Sequence, residues 1–249
     1  MRLFAKIAEG DLMSSQPCCP IVELRQYTLV PGKRDILVDL FEREFIETQE
    51  ATGMRVIGQF RDLNNPDRFV WLRGFTDMES RARQLQEFYG GPVWKKHREA
   101  ANATMIDSDN VLLLRPTHPD SGFLLGSFKR PAPGTSEASK SLVVATIYYL
   151  AGSPDSFAEF FETEVAAALT KAGAAALATF ITENHSNTFP ALPVREGENV
   201  FVSVSRFSNR ETYAPHPSGV AEPVSGKQSG LVKKLETLFL APSARSLVR

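Results

Sequence analysis

Charged and amphipathic side chains alternate with apolar ones in the stretch IVELRQYTLVPGK, near the start of the chain. Glu23, Arg25 and Tyr27 share one face of the strand that this alternation predicts, because successive side chains of a strand point to opposite faces. Val22 and Leu24 mark the other face as a packing face. The polar face is predicted to be exposed to water or to line a cavity, where it could bind a polar ligand.

Two later predicted strands carry side chains of the same kind at alternate positions: Gln59, Arg61, Trp71 and Arg73. If a second sheet closes over this face, unpaired charges there are costly, and they must pair with one another or with a ligand. Three arginines against one glutamate leave an excess of positive charge. We therefore expect a small anion, such as a carboxylate, held by bidentate guanidinium contacts, with Trp71 and Tyr27 as the apolar wall. The alternative is a buried ion-pair network without a ligand.

His97 is the last candidate, because it follows Trp94 by three residues and shares its helix face. It is predicted at the pocket mouth as a general acid or base, although its basic neighbours are more typical of a solvated helix. No residue is assigned a catalytic role. The sequence predicts no metal and no cofactor, since the remaining histidines lack ligand spacing and the glycines form no phosphate-binding loop. Those histidines are His118, His185 and His216.

The elements that must position these side chains follow the order βαββαβ. Apolar residues at helical spacing predict a helix over 35–48, and turn residues between two strands predict a hairpin. Asp77 is predicted to cap the next helix. The remaining elements are strands over 54–62, 68–75 and 111–115 and a helix over 93–103. This order is typical of a ferredoxin-like domain, in which helices cover one face of an antiparallel sheet.

The second half of the chain repeats this pattern. The sequence FERE at position 41 is similar to FETE at position 161, a shift of 120 residues, and Phe69-Val70 matches Phe201-Val202 at a shift of 132. The difference predicts a twelve-residue insertion at the tip of the second hairpin, within 188–199. Predicted elements are strands over 142–150 and 200–207, a helix over 155–171, and a helix or strand over 231–240. An internal duplication is the simplest explanation.

The predicted fold class is α+β, with two tandem ferredoxin-like repeats in a dimeric α/β-barrel arrangement. We expect a loosely ordered leader over 1–20, a first repeat over 21–117, a linker over 118–140 and a divergent second repeat over 141–249. At a shift of 120 residues, the three polar positions of the first strand correspond to apolar ones in the second copy, so charges cluster in the first copy only. Those apolar residues are Val143, Ala145 and Ile147.

Composition limits the partners. The chain has 249 residues and a formal net charge of -1, with 28 basic and 29 acidic residues, which gives no field to attract nucleic acid or an anionic membrane. No apolar run approaches the roughly twenty residues that span a bilayer. The two cysteines, Cys18 and Cys19, are adjacent and form no cross-linked framework, so a reducing cytoplasm is expected. A small-molecule ligand and a homo-oligomer remain possible partners.

The runs ELRQYTLVPGK, GQFRD and FVWLRGF, followed by Arg81 and Trp94, resemble the NIPSNAP family. The resemblance covers residues 21–116 and extends weakly over 142–242. It implies the dimeric α+β barrel fold, in which two ferredoxin-like sheets pack face to face, and in this chain the two halves could pair with each other. The family offers no agreed catalytic set.

Three functions follow from these observations. The first is a NIPSNAP-type protein that binds a small ligand, for which we expect an anion, in a cavity between two sheets. The second is a cofactor-independent monooxygenase-like or haem-handling enzyme, which rests on the fold alone. The third is a structural or partner-binding module.

Overall fold

The computed structural model describes residues 17–126, 128–171, 173, 175–213 and 230–249. Its strands are β1 (Ile21–Leu29), β2 (Arg55–Asp62), β3 (Arg68–Phe75), β4 (Met105–Pro116), β5 (Leu142–Leu150), β6 (Ala176–Thr182), β7 (Val200–Phe207) and β8 (Val232–Pro242). Its helices are α1 (Arg34–Leu40), α2 (Ile46–Glu50), α3 (Met78–Gly90), α4 (Pro92–Asn102), α5 (Pro154–Phe160), α6 (Ala166–Lys171) and α7 (Arg210–Tyr213). A π-helical turn, Phe41–Phe45, joins α1 to α2, and another, Phe161–Val165, joins α5 to α6. Most of the predicted leader, residues 1–16, lies outside the described residues.

The eight strands close into one antiparallel barrel, in the order β1-β3-β2-β8-β5-β7-β6-β4. The strands of the first half run β4-β1-β3-β2 and those of the second run β8-β5-β7-β6, the same order in both. Two short ladders join the halves, β2 to β8 and β4 to β6. The predicted mixed α+β class with an antiparallel sheet is confirmed, and the barrel closes within a single chain.

Apolar side chains from both halves fill the barrel. Val22 and Leu24 point inward together with Val143, Ala145 and Ile147. The opposite face of β1, which carries Glu23, Arg25 and Tyr27, therefore points outward, toward the helices. The predicted placement of this polar face against a second sheet is wrong. Both faces of β1 are buried, because one is covered by the barrel and the other by the helix layer.

The correspondence between the first strands of the halves also differs from the predicted one. Cross-strand pairs place Glu23 opposite Arg73 and Val144 opposite Ser205. The outward positions of β1 therefore match Val144, Thr146 and Tyr148, a shift of 121 residues rather than 120. The reason is that the connection from β1 to α1 spans 30–33, whereas that from β5 to α5 spans only 151–153. A slip of one residue moves every side chain of a strand to the other face.

A separate helix layer covers the outer face of each half. In the first half, Tyr27, Phe41, Phe45, Trp71 and Phe88 belong to one buried cluster between sheet and helices. In the second half, the corresponding cluster contains Tyr148, Phe157, Phe161 and Phe201. No helix in the described part of the chain is long and apolar enough to cross a membrane.

One end of the barrel is closed by segments outside the strands. The predicted packing of the 123–125 run is confirmed for Phe123 and Leu125, whereas Leu124 is 43% exposed. After β8 the chain turns back along β2, where the Val248 amide donates to the Ile57 carbonyl at 3.2 Å, and Leu247 and Val248 join the barrel core. Cys19, joined to Cys18 by a disulfide, also packs there.

We predict that Leu247→Ala lowers the free energy of unfolding by about 2–5 kcal/mol, because it empties a fully buried position in the barrel core. Urea unfolding would measure the change. Leu124→Ala is the matched control and should stay within about 0.5 kcal/mol of the parent chain, since its side chain is largely exposed. Equal losses for the two variants would contradict the closing role of the segment.

Candidate functional site

A single carboxylate, that of Glu23, accepts hydrogen bonds from three guanidinium groups. Arg25 Nη1 and Arg73 Nε each donate to Glu23 Oε2 at 2.7 Å, and Arg81 Nε donates to Oε1 at 2.7 Å. All four side chains are fully buried. We call these four residues the arginine cluster. Three positive charges and one negative charge leave an excess of two positive charges inside the protein.

Strand pairing and a helix cap place the four side chains together. Glu23 and Arg25 share a face because they are two residues apart, and the β1–β3 register puts Arg73 directly opposite Glu23. The carboxylate of Asp77 accepts a hydrogen bond from the Ser80 amide at 2.6 Å and caps α3, as predicted. Arg81, in the first turns of α3, then faces the sheet and reaches Glu23.

Other donors of Arg25 and Arg73 meet neutral acceptors. Arg25 Nε donates to the Tyr27 hydroxyl at 3.1 Å, and Arg73 Nη1 donates to Gln49 Oε1 at 3.1 Å. The same Arg73 nitrogen lies 3.4 Å from the Tyr89 hydroxyl. These contacts solvate the guanidinium groups without adding negative charge.

The charges fix the protonation of Glu23. Burial by itself would raise the pKa of this carboxyl, but Arg73, Arg25 and Arg81 outweigh burial and hold its pKa well below the ordinary range. Burial raises the pKa of the Tyr27 hydroxyl, so tyrosine stays neutral. Glu23 is therefore an anion near neutral pH, and its low pKa makes it too weak a base to act as a general base.

A small cavity of about 30 Å³ lies beside the arginine cluster, between sheet and helices. Its aromatic lining includes Tyr27, Trp71, Tyr89 and Trp94. The Arg73 guanidinium carbon lies 5.0 Å from the centre of a Trp71 ring, within the range of cation–π attraction. In this form, the space is that of about one water molecule.

Several buried polar atoms next to this layer have no hydrogen-bond partner among the residues that the structure describes. They are the second terminal nitrogens of Arg25 and Arg73, the indole nitrogen of Trp71 and both side-chain amide atoms of Gln59. Buried donors are normally paired, so such atoms require an explanation. Their number beside an aromatic cavity favours a polar group that completes the site.

The structure brings most of the predicted site residues together. Glu23, Arg25, Tyr27, Trp71 and Arg73 meet at one place, and Gln59 is buried on the same face of the sheet, paired across from Trp71. Their location is the layer between sheet and helices of the first half. The predicted location between two sheets is wrong, because the barrel interior is filled by apolar side chains.

Two predicted residues lie elsewhere. Arg61 Nε donates to Asp35 Oδ1 at 2.7 Å, near the partly exposed end of β2, and does not reach Glu23. His97 Nε2 lies 3.5 Å from a carboxylate oxygen of Glu44. Neither belongs to the arginine cluster. Among the described residues, no group of three or more histidine, cysteine, aspartate or glutamate side chains could hold a metal ion.

Sequence reasoning did not select Arg81 as a site residue. Its signal was an arginine in the apolar stripe of a helix, at helical spacing from Leu85 and Phe88, both buried. Gln49 and Tyr89 carried no comparable signal, because a glutamine or a tyrosine at such a position is common in a solvated helix. In the second half, the positions equivalent to Glu23, Arg25 and Arg73 hold Val144, Thr146 and Ser205.

Residues 22–119 match the model of the family described as NIPSNAP. An uncharacterized NIPSNAP-like domain protein from Burkholderia xenovorans is 30% identical, over 45% of this chain and 90% of that chain, with a TM-score of 0.36. No curated protein matches the chain.

Two solved structures resemble nearly the whole chain. A putative monooxygenase from Lactobacillus acidophilus NCFM is 16% identical, over 93% of this chain and 99% of that chain, with a TM-score of 0.52. A putative monooxygenase from Fusobacterium nucleatum is 9% identical, over 93% and 97%, with a TM-score of 0.55. At these identities the likeness shows the fold alone.

We predict that Glu23→Gln lowers the free energy of unfolding by about 3–5 kcal/mol, because it leaves three buried guanidinium groups without their anion. Urea unfolding at neutral pH would measure the loss. The control is Glu44→Gln, because Glu44 is partly exposed and its partner Arg43 is 63% exposed, so the loss of this ion pair should change stability little. Equal stability of the two variants would contradict the central role of Glu23.

We also predict that the effect of Glu23→Gln on the free energy of unfolding depends on pH. The pKa of Glu23 is lower in the folded chain than its ordinary value of 4.5, so its contribution is complete above that value and is lost as the pH falls below it. The difference in unfolding free energy between the parent chain and Glu23→Gln should be constant from pH 7 to about pH 5 and shrink toward pH 3. A difference that grows with acidification would contradict the assignment.

Proposed function

The chain belongs to the NIPSNAP family, and we propose that it binds a small organic anion between the sheet and the helices of its first half. The observation that carries this proposal is the buried excess of positive charge in the arginine cluster. A carboxylate or a similar oxyanion would offset that charge. The ligand would accept hydrogen bonds from the free terminal nitrogens of Arg25 and Arg73.

The chemistry around these donors restricts the rest of the ligand. Trp71 and Tyr27 stand beside the guanidinium of Arg25, and Trp94 lines the same cavity. A planar apolar body could stack on these rings while its acidic group meets the arginines. We therefore favour an aromatic or otherwise planar carboxylic acid over a highly hydrated anion such as sulfate.

The outer wall of the cavity would move to admit such a molecule, because the closed space holds about one water molecule. Tyr89 and Trp94 belong to this wall, and they flank the break between α3 and α4 at Gly90 and Gly91. Both side chains are only partly buried. A shift of this corner would open the cavity without disturbing the barrel.

A second candidate is cofactor-independent oxygenation of a phenolic or enolisable substrate. Its support is the free guanidinium donors beside the aromatic cavity, which would stabilise the anion of a phenol, together with the fold shared with two putative monooxygenases. The base would have to come from elsewhere, because the arginines lower the pKa of Glu23 and make its carboxylate a weak base. Consumption of dioxygen in the presence of a phenol distinguishes this activity from binding alone.

We also propose that the halves are tandem ferredoxin-like units, with 21–117 and 141–249 as the repeats and 118–140 as the linker. The identical strand order of the halves supports this origin. So does the π-helical turn that each half carries at the same place in its first helical segment.

The two tryptophans of the chain, Trp71 and Trp94, both line the cavity, so intrinsic fluorescence reports on it directly. We predict that benzoate changes the emission saturably and that benzamide, its neutral isostere, does not. Arg25→Met should weaken benzoate binding by about tenfold or more, as expected for the loss of a charge-assisted contact. Arg25→Lys, which keeps the charge but lacks the fork of the guanidinium group, should weaken binding less than Arg25→Met. Native mass spectrometry of the freshly purified protein would identify a retained natural anion.

Arg61→Met is the matched control, because Arg61 lies outside the arginine cluster and pairs with Asp35. It should bind benzoate as the parent chain does. Circular dichroism would verify that each variant is folded. Equal responses to benzoate and benzamide, or no response to either together with no retained anion, would contradict the proposal and favour a structural or partner-binding role.

A further inference from the structure

The connection between β6 and β7 in the second half reaches across to the arginine cluster of the first half. Within it, residues 187–192 form a segment that we call the strap. Arg81 Nη1 donates to Asn187 Oδ1 at 3.0 Å and to Thr188 Oγ1 at 3.1 Å. The Thr188 hydroxyl also donates to the Met78 carbonyl of α3 at 3.1 Å. The strap is therefore bound to the helix that supplies Arg81.

An aromatic contact extends the strap to the cavity. Phe189 stacks on Tyr89, with ring centres 5.9 Å apart and ring planes at 22°. Tyr89 in turn packs edge-on against Trp94, at 4.8 Å, and its hydroxyl lies 3.4 Å from Arg73 Nη1. Phe189 and Leu192 both pack against the buried cluster of the first half. A continuous series of contacts thus joins the strap to the arginines.

The strap also has a conformation of its own. Asn187 Nδ2 donates to the Leu192 carbonyl at 2.8 Å, and the Phe189 amide donates to Asn187 Oδ1 at 3.0 Å. The Asn187 amide donates to Glu196 Oε1 at 2.7 Å. The first two bonds lie within the strap and give it a defined local shape, and the third ties it to Glu196.

We propose that the strap is the entrance wall of the anion site, with Phe189 as its size-determining residue and Asn187 and Thr188 as positioning residues for Arg81. The second half thereby completes a site whose charges all come from the first. This inference rests on the proposed function for the nature of the ligand, a planar carboxylic acid. That the strap covers the cavity rests only on the contacts above.

The oxygen atoms that accept hydrogen bonds from Arg81 are neutral, which suits the positioning role of Asn187 and Thr188. Asn187 and Thr188 satisfy Arg81 without cancelling its charge, and so the site keeps its attraction for an anion while the strap is closed. An acidic strap residue at either position would compete with the ligand. The side chains thus hold Arg81 on Glu23 and leave the excess positive charge available.

Acrylamide quenching of tryptophan fluorescence tests the strap without any ligand. Phe189→Ala should raise the quenching constant by about twofold or more, because removing the stacked ring exposes Tyr89 and then Trp94 to solvent. Phe160→Ala is the matched control, since Phe160 is a partly buried phenylalanine of the second-half helix layer and should leave quenching unchanged. Unchanged quenching in Phe189→Ala would overturn the proposal.

Binding kinetics then test the role in selectivity. In Phe189→Ala, benzoate should associate faster and 2-naphthoate should gain affinity relative to benzoate, whereas the preference for benzoate over benzamide should persist. Asn187→Ala should weaken that charge preference, because Arg81 loses a positioning contact. An unaltered ratio of naphthoate to benzoate affinity in Phe189→Ala would overturn the size-determining role. If the parent chain binds no carboxylate while quenching still rises, the proposed function fails and the covering role of the strap stands.

Discussion

The fold of the first half depends on one buried carboxylate. Glu23 joins the centre of its sheet to the facing helix, since it pairs with Arg73 across the β1–β3 ladder and with Arg81 on α3. Arg81 extends the same network to the strap of the second half. A buried charge with three partners allows few alternative arrangements, because any slip of a strand or rotation of the helix would leave buried guanidinium groups without their anion. The arginine cluster thus fixes register, helix position and loop path together.

Both halves contribute to one barrel interior, but only the first half supplies the charges of the arginine cluster. The inner faces of both contribute apolar side chains of similar kind, which explains why the interior is closed rather than hollow. The outer faces differ. In the second half, Tyr148 lies among Phe157, Phe161 and Phe201, and the described members of this buried cluster are all apolar or aromatic. Its contribution to the site is indirect: it completes the barrel that holds β1 in place, and it provides the strap that lies against Tyr89.

The alternation of polar and apolar residues, together with the turn-forming residues between them, made the strands and their polar side chains predictable from the sequence. Side chains two residues apart share a face, so Glu23 and Arg25 were predicted to be neighbours. Arg73 lies beside them because β3 pairs with β1 as well as with its hairpin partner β2. Alternation cannot tell which face of a strand looks inward when both faces are buried, and this placed the site on the wrong side of the sheet. A connection one residue shorter in the second half then hid the true correspondence of the first strands. The path of the strap depends on tertiary contacts that no periodic pattern records. Arg61 lies outside the arginine cluster, because its side chain pairs with Asp35 near the end of β2.

The second half shows what this sheet requires at the positions of the arginine cluster. Val144 and Ser205 form the same cross-strand pair as Glu23 and Arg73, and the strands around them pair equally well. Packing a helix layer onto this sheet therefore needs no charge, and buried ion pairs are often no more stabilising than apolar residues of similar volume. A purely structural cluster would also be expected to balance its charges, whereas this one keeps two in excess and leaves donors of Arg25 and Arg73 unpaired. This imbalance among the described residues supports the proposal that an anion from outside them binds the arginine cluster, which also holds the sheet and α3 together.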